Sequence, residues 1–326
     1  MPPVYSLVVP IFNEEAVLPI LLRRLDALMD ALDAPAEAIF IDDGSHDAGP
    51  IVLEAKARAD QRYRFIKLSR NFGHQVAITT GMERASGQAV VVMDADLQDP
   101  PEVVIEMIAK WRQGYEIVYA QRLSRVSESR FKRFTADVFY RLLGKLSDIE
   151  IPRNVGDFRL VDRKALDAFL AMPERDRFVR GMFAWIGFRQ AVVAFHRPER
   201  AAGETKYSLA KMIHLAANGV VSFSDAPLRV ALWAGLATST LAILYGLWTI
   251  ARWAMNADLA RGWSSIIVLV AFLGGANMLM TGVMGVYVGR IYSEVKRRPL
   301  YVIDRTVGFE AAAEEPARRP TAAKRA

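Results

Sequence analysis

Cysteine is absent from the 326-residue chain, which excludes disulfides, thiolate metal centres and cysteine nucleophiles. Histidine is almost as scarce, since His46, His74, His196 and His214 stand apart at no spacing that a metal site uses. Neither G-x-G-x-x-G nor G-x-x-x-x-G-K-[ST] occurs, which counts against a dinucleotide oxidoreductase and a P-loop ATPase. A secretory signal is missing too: Met1-Pro2-Pro3 leads straight into a strand at Tyr5, so the N-terminal part is expected in the cytoplasm. Charge of neither sign dominates, with 42 Lys+Arg against 36 Asp+Glu and a net charge of +6. That modest basic excess suits an anionic membrane surface or phosphorylated substrates. No nucleic-acid motif accompanies it, and nucleic acid is not an expected partner.

What the chain does have is a row of apolar strands ending in acid. Val90, Val91, Val92 and Met93 run unbroken into Asp94-Ala95-Asp96-Leu97-Gln98-Asp99-Pro100-Pro101-Glu102. Such a run is the habit of a strand buried on both faces of a parallel sheet. Asp99 is placed to cap a following helix, Pro100 or Pro101 suits its first turn, and Glu102 suits its positive end. Asp94, Asp96 and Gln98 offer two carboxylates and an amide at the carboxyl end of a strand, a donor set for Mg²⁺ or Mn²⁺ carrying phosphates. A capped turn with surplus acid would use the same residue types, and this stretch alone does not separate the two readings.

Further strands are expected at 5–9, 38–41, 65–68 and 117–120, with helices at about 16–32, 75–86 and up to 111; Gly87 is expected as the C′ residue of the second helix. The alternation predicts an α/β fold, a doubly wound and mostly parallel sheet with right-handed crossovers. Asn13-Glu14-Glu15 and Asp42-Asp43-Gly44-Ser45 end the first two strands, so three strand ends carry carboxylates. Segments 128–147 and 207–223 are amphipathic with cationic flanks, a pattern that fits packing on the sheet or lying at a membrane surface. Two uncharged runs follow, 230–251 between Arg229 and Arg252 and 264–289 between Arg261 and Arg290. Each is long enough to cross a bilayer. Arg290, Lys296, Arg297 and Arg298 crowd the far end, which predicts a hairpin with both termini cytoplasmic and the link outside. Gly285 and Gly289 are spaced for close helix packing. The Ala/Glu/Pro/Arg-rich stretch from about 308 is expected to be disordered.

Taken together, Val9-Pro10-Ile11-Phe12-Asn13-Glu14-Glu15, Asp42-Asp43-Gly44-Ser45, Met93 to Glu102, Gly156-Asp157-Phe158-Arg159-Leu160 and Gly203-Glu204-Thr205-Lys206-Tyr207 resemble the polyprenyl-phosphate glycosyltransferases of glycosyltransferase family 2. That group holds the dolichol-phosphate mannose synthases and the bactoprenol glucosyltransferases. The resemblance covers roughly residues 4 to 300, and Gln88, where many relatives carry Asp, departs from it.

It implies a GT-A fold, Rossmann-like and mostly parallel, in a cytoplasmic domain over 1–225, then two transmembrane helices within 226–292 and a basic cytoplasmic tail over 293–326. Pro10, Phe12 and Glu14 would line the nucleotide pocket, with Asp42 or Asp43 recognising the base. Asp94, and Ala95 beside it, would lie by the ribose and diphosphate, while Asp96 and Gln98 hold the metal, Mg²⁺ or Mn²⁺, with Asp94 near. Arg122 and Arg125 stand where the family carries phosphate-binding arginines, and Lys206 is placed to meet the acceptor phosphate. Asp157 occupies the family's catalytic position, either as a base or as a residue that orients substrate.

The implied reaction is inverting, metal-dependent transfer of a sugar to undecaprenyl or another polyprenyl phosphate, on the cytoplasmic face of the inner membrane. UDP-glucose is the first choice of donor, with GDP-mannose or a modified UDP-sugar as alternatives, and a homo-oligomer stays open. A processive polysaccharide synthase would need a Gln-x-x-Arg-Trp motif, which is absent. A non-catalytic nucleotide-binding scaffold would be expected to have lost Asp94, Asp96 and Gln98.

Overall fold

A computed structural model describes residues 2–123, 155–196, 226–255 and 262–309. In chain order the first elements are β1 (Tyr5–Ile11), α1 (Leu18–Ala31), β2 (Ala36–Asp42), α2 (Gly49–Ala59), β3 (Tyr63–Leu68), α3 (His74–Arg84), β4 (Ala89–Val92), α4 (Val103–Arg112) and β5 (Ile117–Arg122). Then come β6 (Val155–Asp162), α5 (Arg163–Leu170), α6 (Val179–Trp185) and β7 (Gln190–Phe195), and finally α7 (Ala226–Ala254), α8 (Trp263–Val295) and β8 (Ile303–Val307).

The eight strands among the described residues form one sheet in the order β7-β5-β6-β4-β1-β2-β3-β8. The pairs β1–β2, β1–β4, β2–β3 and β5–β7 are parallel, while β6 and β8 run against their neighbours. Strand polarity alternation explains the two cores. Tyr5, Leu7, Val9 and Ile11 of β1 point to the face covered by Leu18, Leu21, Leu25 and Leu28 of α1. Val8, with Ile39 and Ile41 of β2, points to the other face, against Ile78 and Met82 of α3. Gly81 lets α3 lie flat there, because a Cβ on it would come within 2.3 Å of Val8 and 2.5 Å of Ile41. The order reverses between β1 and β4, and in open α/β sheets the crevice outside such a reversal is where ligands bind.

Several elements depart from the sequence reading. α2, β6, α5, α6, β7 and β8 are additional, and β6 escaped notice because Asp157 and Arg159 interrupt its apolar pattern although both are buried. Gly87 is not a helix C′ residue. α3 ends at Arg84, and Gly87 instead lets the chain press on β1, where an added Cβ would stand 2.8 Å from the Ser6 nitrogen. The tail expected over 293–326 supplies β8 just before the stretch expected to be disordered, and β8 pairs Phe65 with Val307 and Lys67 with Arg305 along the open edge of β3.

The two expected spans are two helices, α7 of 29 residues and α8 of 33. Among the described residues, Phe272–Val295 is the one stretch long and apolar enough to cross a membrane, and Val230–Tyr245 is a shorter apolar stretch. The described residues thus supply one candidate span where the sequence reading expects two. Among the described residues, nothing lies within 4 Å of a Cβ built on Gly285 or Gly289; at Gly235 the added atom would be 3.9 Å from Met280 Sδ. The expected close packing through Gly285 and Gly289 is therefore not how α7 meets α8. Segments 128–147 and 207–223, with Arg125 and Lys206, lie outside the described residues.

Candidate active site

The loops after β1 and β2 are stitched to one another. Asn13 N–H donates to Ser45 Oγ at 2.9 Å and His46 N–H donates to Asn13 Oδ1 at 2.8 Å. Glu15 N–H donates to Asp47 Oδ2 at 3.0 Å, and Ala48 N–H returns the bond to Glu15 Oε2 at 3.0 Å. Asn13 takes φ +54° to do so, a conformation that Asn tolerates better than most residues. These polar residues are therefore spent on shape, and Pro10, Phe12 and Glu14 are held beside them.

The neighbouring acids divide in the same way. Asp43 accepts from the N–H groups of Phe72 and Gly73 at 2.7 and 2.9 Å. Burial raises its pKa against those bonds. Asp42 Oδ1 accepts Ser45 N–H at 3.0 Å, while its buried Oδ2 has no hydrogen-bond partner among the described residues. Gly44 makes this turn feasible: at φ +76°, a Cβ would stand 2.7 Å from backbone atoms of Arg70 and Asn71.

Beyond β4 the chain folds into a tight acidic turn. Asp99 does not cap a helix; its Oδ2 reaches back to Asp94 N–H at 3.2 Å, and α4 starts only at Val103. Closing a turn between residues 94 and 99 pulls the carboxylate inward, so Pro100 and Pro101 precede the helix. Leu97 is driven to φ +59° with its side chain buried, a strained conformation for a bulky residue. Asp96 Oδ1 accepts Gln98 N–H at 3.1 Å. Burial and the charge of Asp94 push the Asp99 carboxyl up to about 7, against the pull of Arg122, whose Nη2 is 3.9 Å from Asp99 Oδ1. Asp94 is raised by enclosure and further by Asp157 and Asp96, with His74 pulling it down, although 31 % of its side chain still meets solvent.

The densest contacts are at Asp157 on β6. Oδ1 accepts from Arg159 Nη2 at 3.2 Å and Arg180 Nε at 2.9 Å, and Oδ2 faces Arg180 Nη2 at 3.1 Å, Gln75 Nε2 at 3.3 Å and His74 Nε2 at 3.4 Å. Five donors thus meet a group with about four acceptor sites. Burial alone would raise this carboxyl, yet Arg180, His74 and Arg159 hold it well below the usual carboxylate range. His74 also lies 3.5 Å from Asp94 Oδ1, bridging the two acids. Enclosure lowers its pKa, but the hydrogen bond to Asp157 and the charges of Asp94 and Asp157 prevail, pushing it up to about 9.

Comparison with known proteins gives this arrangement its family. The model of glycosyl transferase family 2 matches residues 6–170. The chain is 47 % identical to the uncharacterized glycosyltransferase YkcC of Bacillus subtilis (strain 168) over 306 residues, 94 % of this chain and 95 % of that one. The chain belongs to glycosyl transferase family 2. The bactoprenol glucosyl transferase of Shigella phage SfII is 41 % identical, over 92 % of this transferase and 97 % of the phage protein. Among solved structures, glucosyl-3-phosphoglycerate synthase from Mycobacterium tuberculosis, in complex with Mn²⁺, UDP-glucose and phosphoglyceric acid, matches at TM-score 0.46 and 18 % identity, over 68 % of this chain and 79 % of that one.

The transferase gathers Asp94, Asp157 and Arg122 at one crevice, with Ala95, Asp96 and Gln98 in the adjoining turn and Asp42 at the end of β2, across β1 from that turn. Arg125 and Lys206 lie outside the described residues. Sequence reasoning missed His74, Gln75 and Arg180. For His74 a signal existed, since it follows Gly73 in the turn after β3, the same topological position that marks the acids. Arg180 left no such trace.

Proposed function

We propose that this transferase moves a sugar, glucose from UDP-glucose in the first instance, onto undecaprenyl or another polyprenyl phosphate, with inversion, at the cytoplasmic face of a membrane. The observation that carries the reading is the saturation of Asp157. A hydroxyl acceptor needs a general base within hydrogen-bond reach of its proton, and a carboxylate held by five donors well below its ordinary pKa is a poor one. A lipid phosphate needs none, because it arrives as an anion. Its oxygen would form the new bond to the anomeric carbon as the bond from that carbon to the diphosphate oxygen breaks, and the nucleoside diphosphate leaves with the electron pair. The names of the phage-type relatives and the apolar α8 support the same acceptor class.

In this reading Asp157 orients rather than deprotonates, fixing Arg180 and His74 beside the reacting centre. Asp42, with an unused buried oxygen, is the better candidate to accept the base N–H, since both oxygens of Asp43 are engaged. Pro10, Phe12 and Glu14 would flank the nucleotide, and Arg122, Arg125 and Lys206 would meet phosphate oxygens through charge-assisted hydrogen bonds. No group of three or more acidic or histidine side chains is gathered to hold an ion among the described residues. Asp94, Asp96 and Gln98 nevertheless fit a cation that takes only a few protein oxygens and completes its shell with substrate phosphates and water. Bound there, Mg²⁺ or Mn²⁺ would neutralise charge on the departing diphosphate.

The deciding experiment offers the purified chain a panel of nucleotide sugars with undecaprenyl phosphate and reads lipid-linked product. UDP-glucose should give the fastest transfer. Absence of lipid-linked product with every donor would overturn the reading.

A further inference from the structure

The 33 residues of α8 make a rod about 50 Å long at 1.5 Å per residue, whereas a hydrocarbon core takes about 20 residues. Counted from Phe272, the start of the apolar stretch, such a crossing ends at about residue 291. The last turn therefore stands clear of the apolar layer, and it abuts the catalytic domain. Glu294 Oε1 accepts the N–H of Arg175 at 2.8 Å, and one turn earlier, at the edge of that layer, Arg290 Nε lies 3.8 Å from Asp176 Oδ2. Just past the helix, the Tyr301 hydroxyl donates to Glu83 on α3 at 2.6 Å.

The segment it touches, 171–178 between α5 and α6, is tied from within by Arg177. That side chain donates to the carbonyls of Met172 at 2.9 Å and Glu174 at 3.0 Å, and lies 5.2 Å from the centre of the Phe169 ring. The next two residues reach the crevice. Val179 N–H donates to Gln75 Oε1 at 3.2 Å, and the amide of Gln75 donates in turn to Asp157 at 3.3 Å. Arg180 forks onto both Asp157 oxygens. A helix end, a braced loop and the hub at Asp157 are thus joined by a continuous run of hydrogen bonds and backbone.

We infer that Glu294 and Arg177 are positioning residues: the last turn of α8 sets the 171–178 segment, and through it the seat of Gln75 and Arg180 on Asp157. The inference rests on the transfer reading above for its activity readout alone. Catalytic geometry is then coupled to how the helix sits, because tilt or translation of α8 moves the loop that carries the clamp. A strut that only anchored the domain would not transmit anything to α6.

The test compares full-length Glu294→Ala and Glu294→Gln with the parent chain in phospholipid nanodiscs. Gln keeps an acceptor oxygen for Arg175 N–H and Ala does not. Amide exchange across Val179–Trp185 should rise about fivefold or more in Glu294→Ala and stay near the parent in Glu294→Gln. Transfer kcat should fall about tenfold in Glu294→Ala while the Kd for UDP changes less than about threefold. Arg177→Lys, which loses the fork over Met172 and Glu174, should loosen the same amides. Should Glu294→Ala not fold, Glu294→Asp, one methylene short of Arg175, carries the same comparison. Unchanged exchange across Val179–Trp185 in the Ala or Asp variant overturns the inference, whatever happens to transfer. A parent chain that makes no lipid-linked sugar overturns the proposed function instead, and the exchange measurement still decides this coupling.

Discussion

Asp157→Asn separates an orienting carboxylate from a catalytic base by its effect on stability. In the parent chain the Asp157 carboxylate is 6 % exposed and Arg159 is fully buried, so the substitution strips the counter-charge from a guanidinium that cannot reach water. Removing one partner of a buried ion pair costs about 3–5 kcal/mol. Two features place this case near the lower end. Arg180 is 27 % exposed and can turn to solvent, and Arg159 keeps the carbonyls of Gly156 and Asp157 and the rings of Tyr119 and Phe183. At roughly 2–4 °C per kcal/mol, a loss of about 3 kcal/mol lowers the melting temperature by about 6 °C or more. The assay is thermal unfolding followed by circular dichroism in detergent. The sign with pH follows from the depressed folded-state pKa: the carboxylate's contribution is present above its unfolded value of about 3.9 and is lost as pH falls through the lower folded value. The gap between parent and variant should therefore close in acid, and it should also narrow as pH rises from about 6.5 towards about 9, because His74, which Asp157 holds protonated in the parent, gives up its proton there. An Asp157→Asn chain that melts within about 1 °C of the parent at about pH 6, or a gap that widens as pH rises through neutrality, would refute the saturated-hub reasoning.

Asp96→Asn should abolish transfer and leave melting unchanged, because Asp96 sits in a half-exposed turn; activity within about tenfold of the parent, or transfer that a chelator does not touch, would remove the metal assignment. A reporter inserted near Asn256–Asp258 should be extracytoplasmic and one after Lys296 cytoplasmic, whereas both on one side would mean that α7 or α8 does not cross. Gly44→Ala should destabilise by about 1–3 kcal/mol, since its Cβ would strike the Arg70–Asn71 backbone at 2.7 Å with φ at +76°; an unchanged denaturation midpoint would show that the turn has another shape in solution.

Much of this architecture was legible in the sequence, because apolar runs capped by Asp or Asn report both strand burial and strand polarity. The runs around Val8, Phe40, Ile66 and Val91 all became parallel strands of one sheet. The clamp was not legible, because its members come from far-apart elements: Gln75 and Asp157 are 82 positions apart and meet only when α3 and β6 pack on the same crevice. Arg159, read only as part of its motif, could have been paired with Asp157. An arginine between Phe158 and Leu160 in a buried run demands a partner, and Asp157 two residues away shares its strand face. Asp99 misled for a related reason, as the propensity of Asp for a helix start yielded to a bond from Asp94 N–H that closes a tighter turn.

The position of β8 in the chain has a consequence for how the molecule is made. Its five residues complete the sheet beside β3, yet they are translated only after α7 and α8. Until then the outer edge of β3 offers unpaired N–H and C=O groups, the feature by which strands recruit wrong partners. Synthesis of the catalytic domain therefore cannot finish before both long helices have left the ribosome and brought Ile303 back to within reach of Leu68. A chain that stops short of β8 would leave that edge of β3 open, an exposed strand edge for quality-control proteases to recognise.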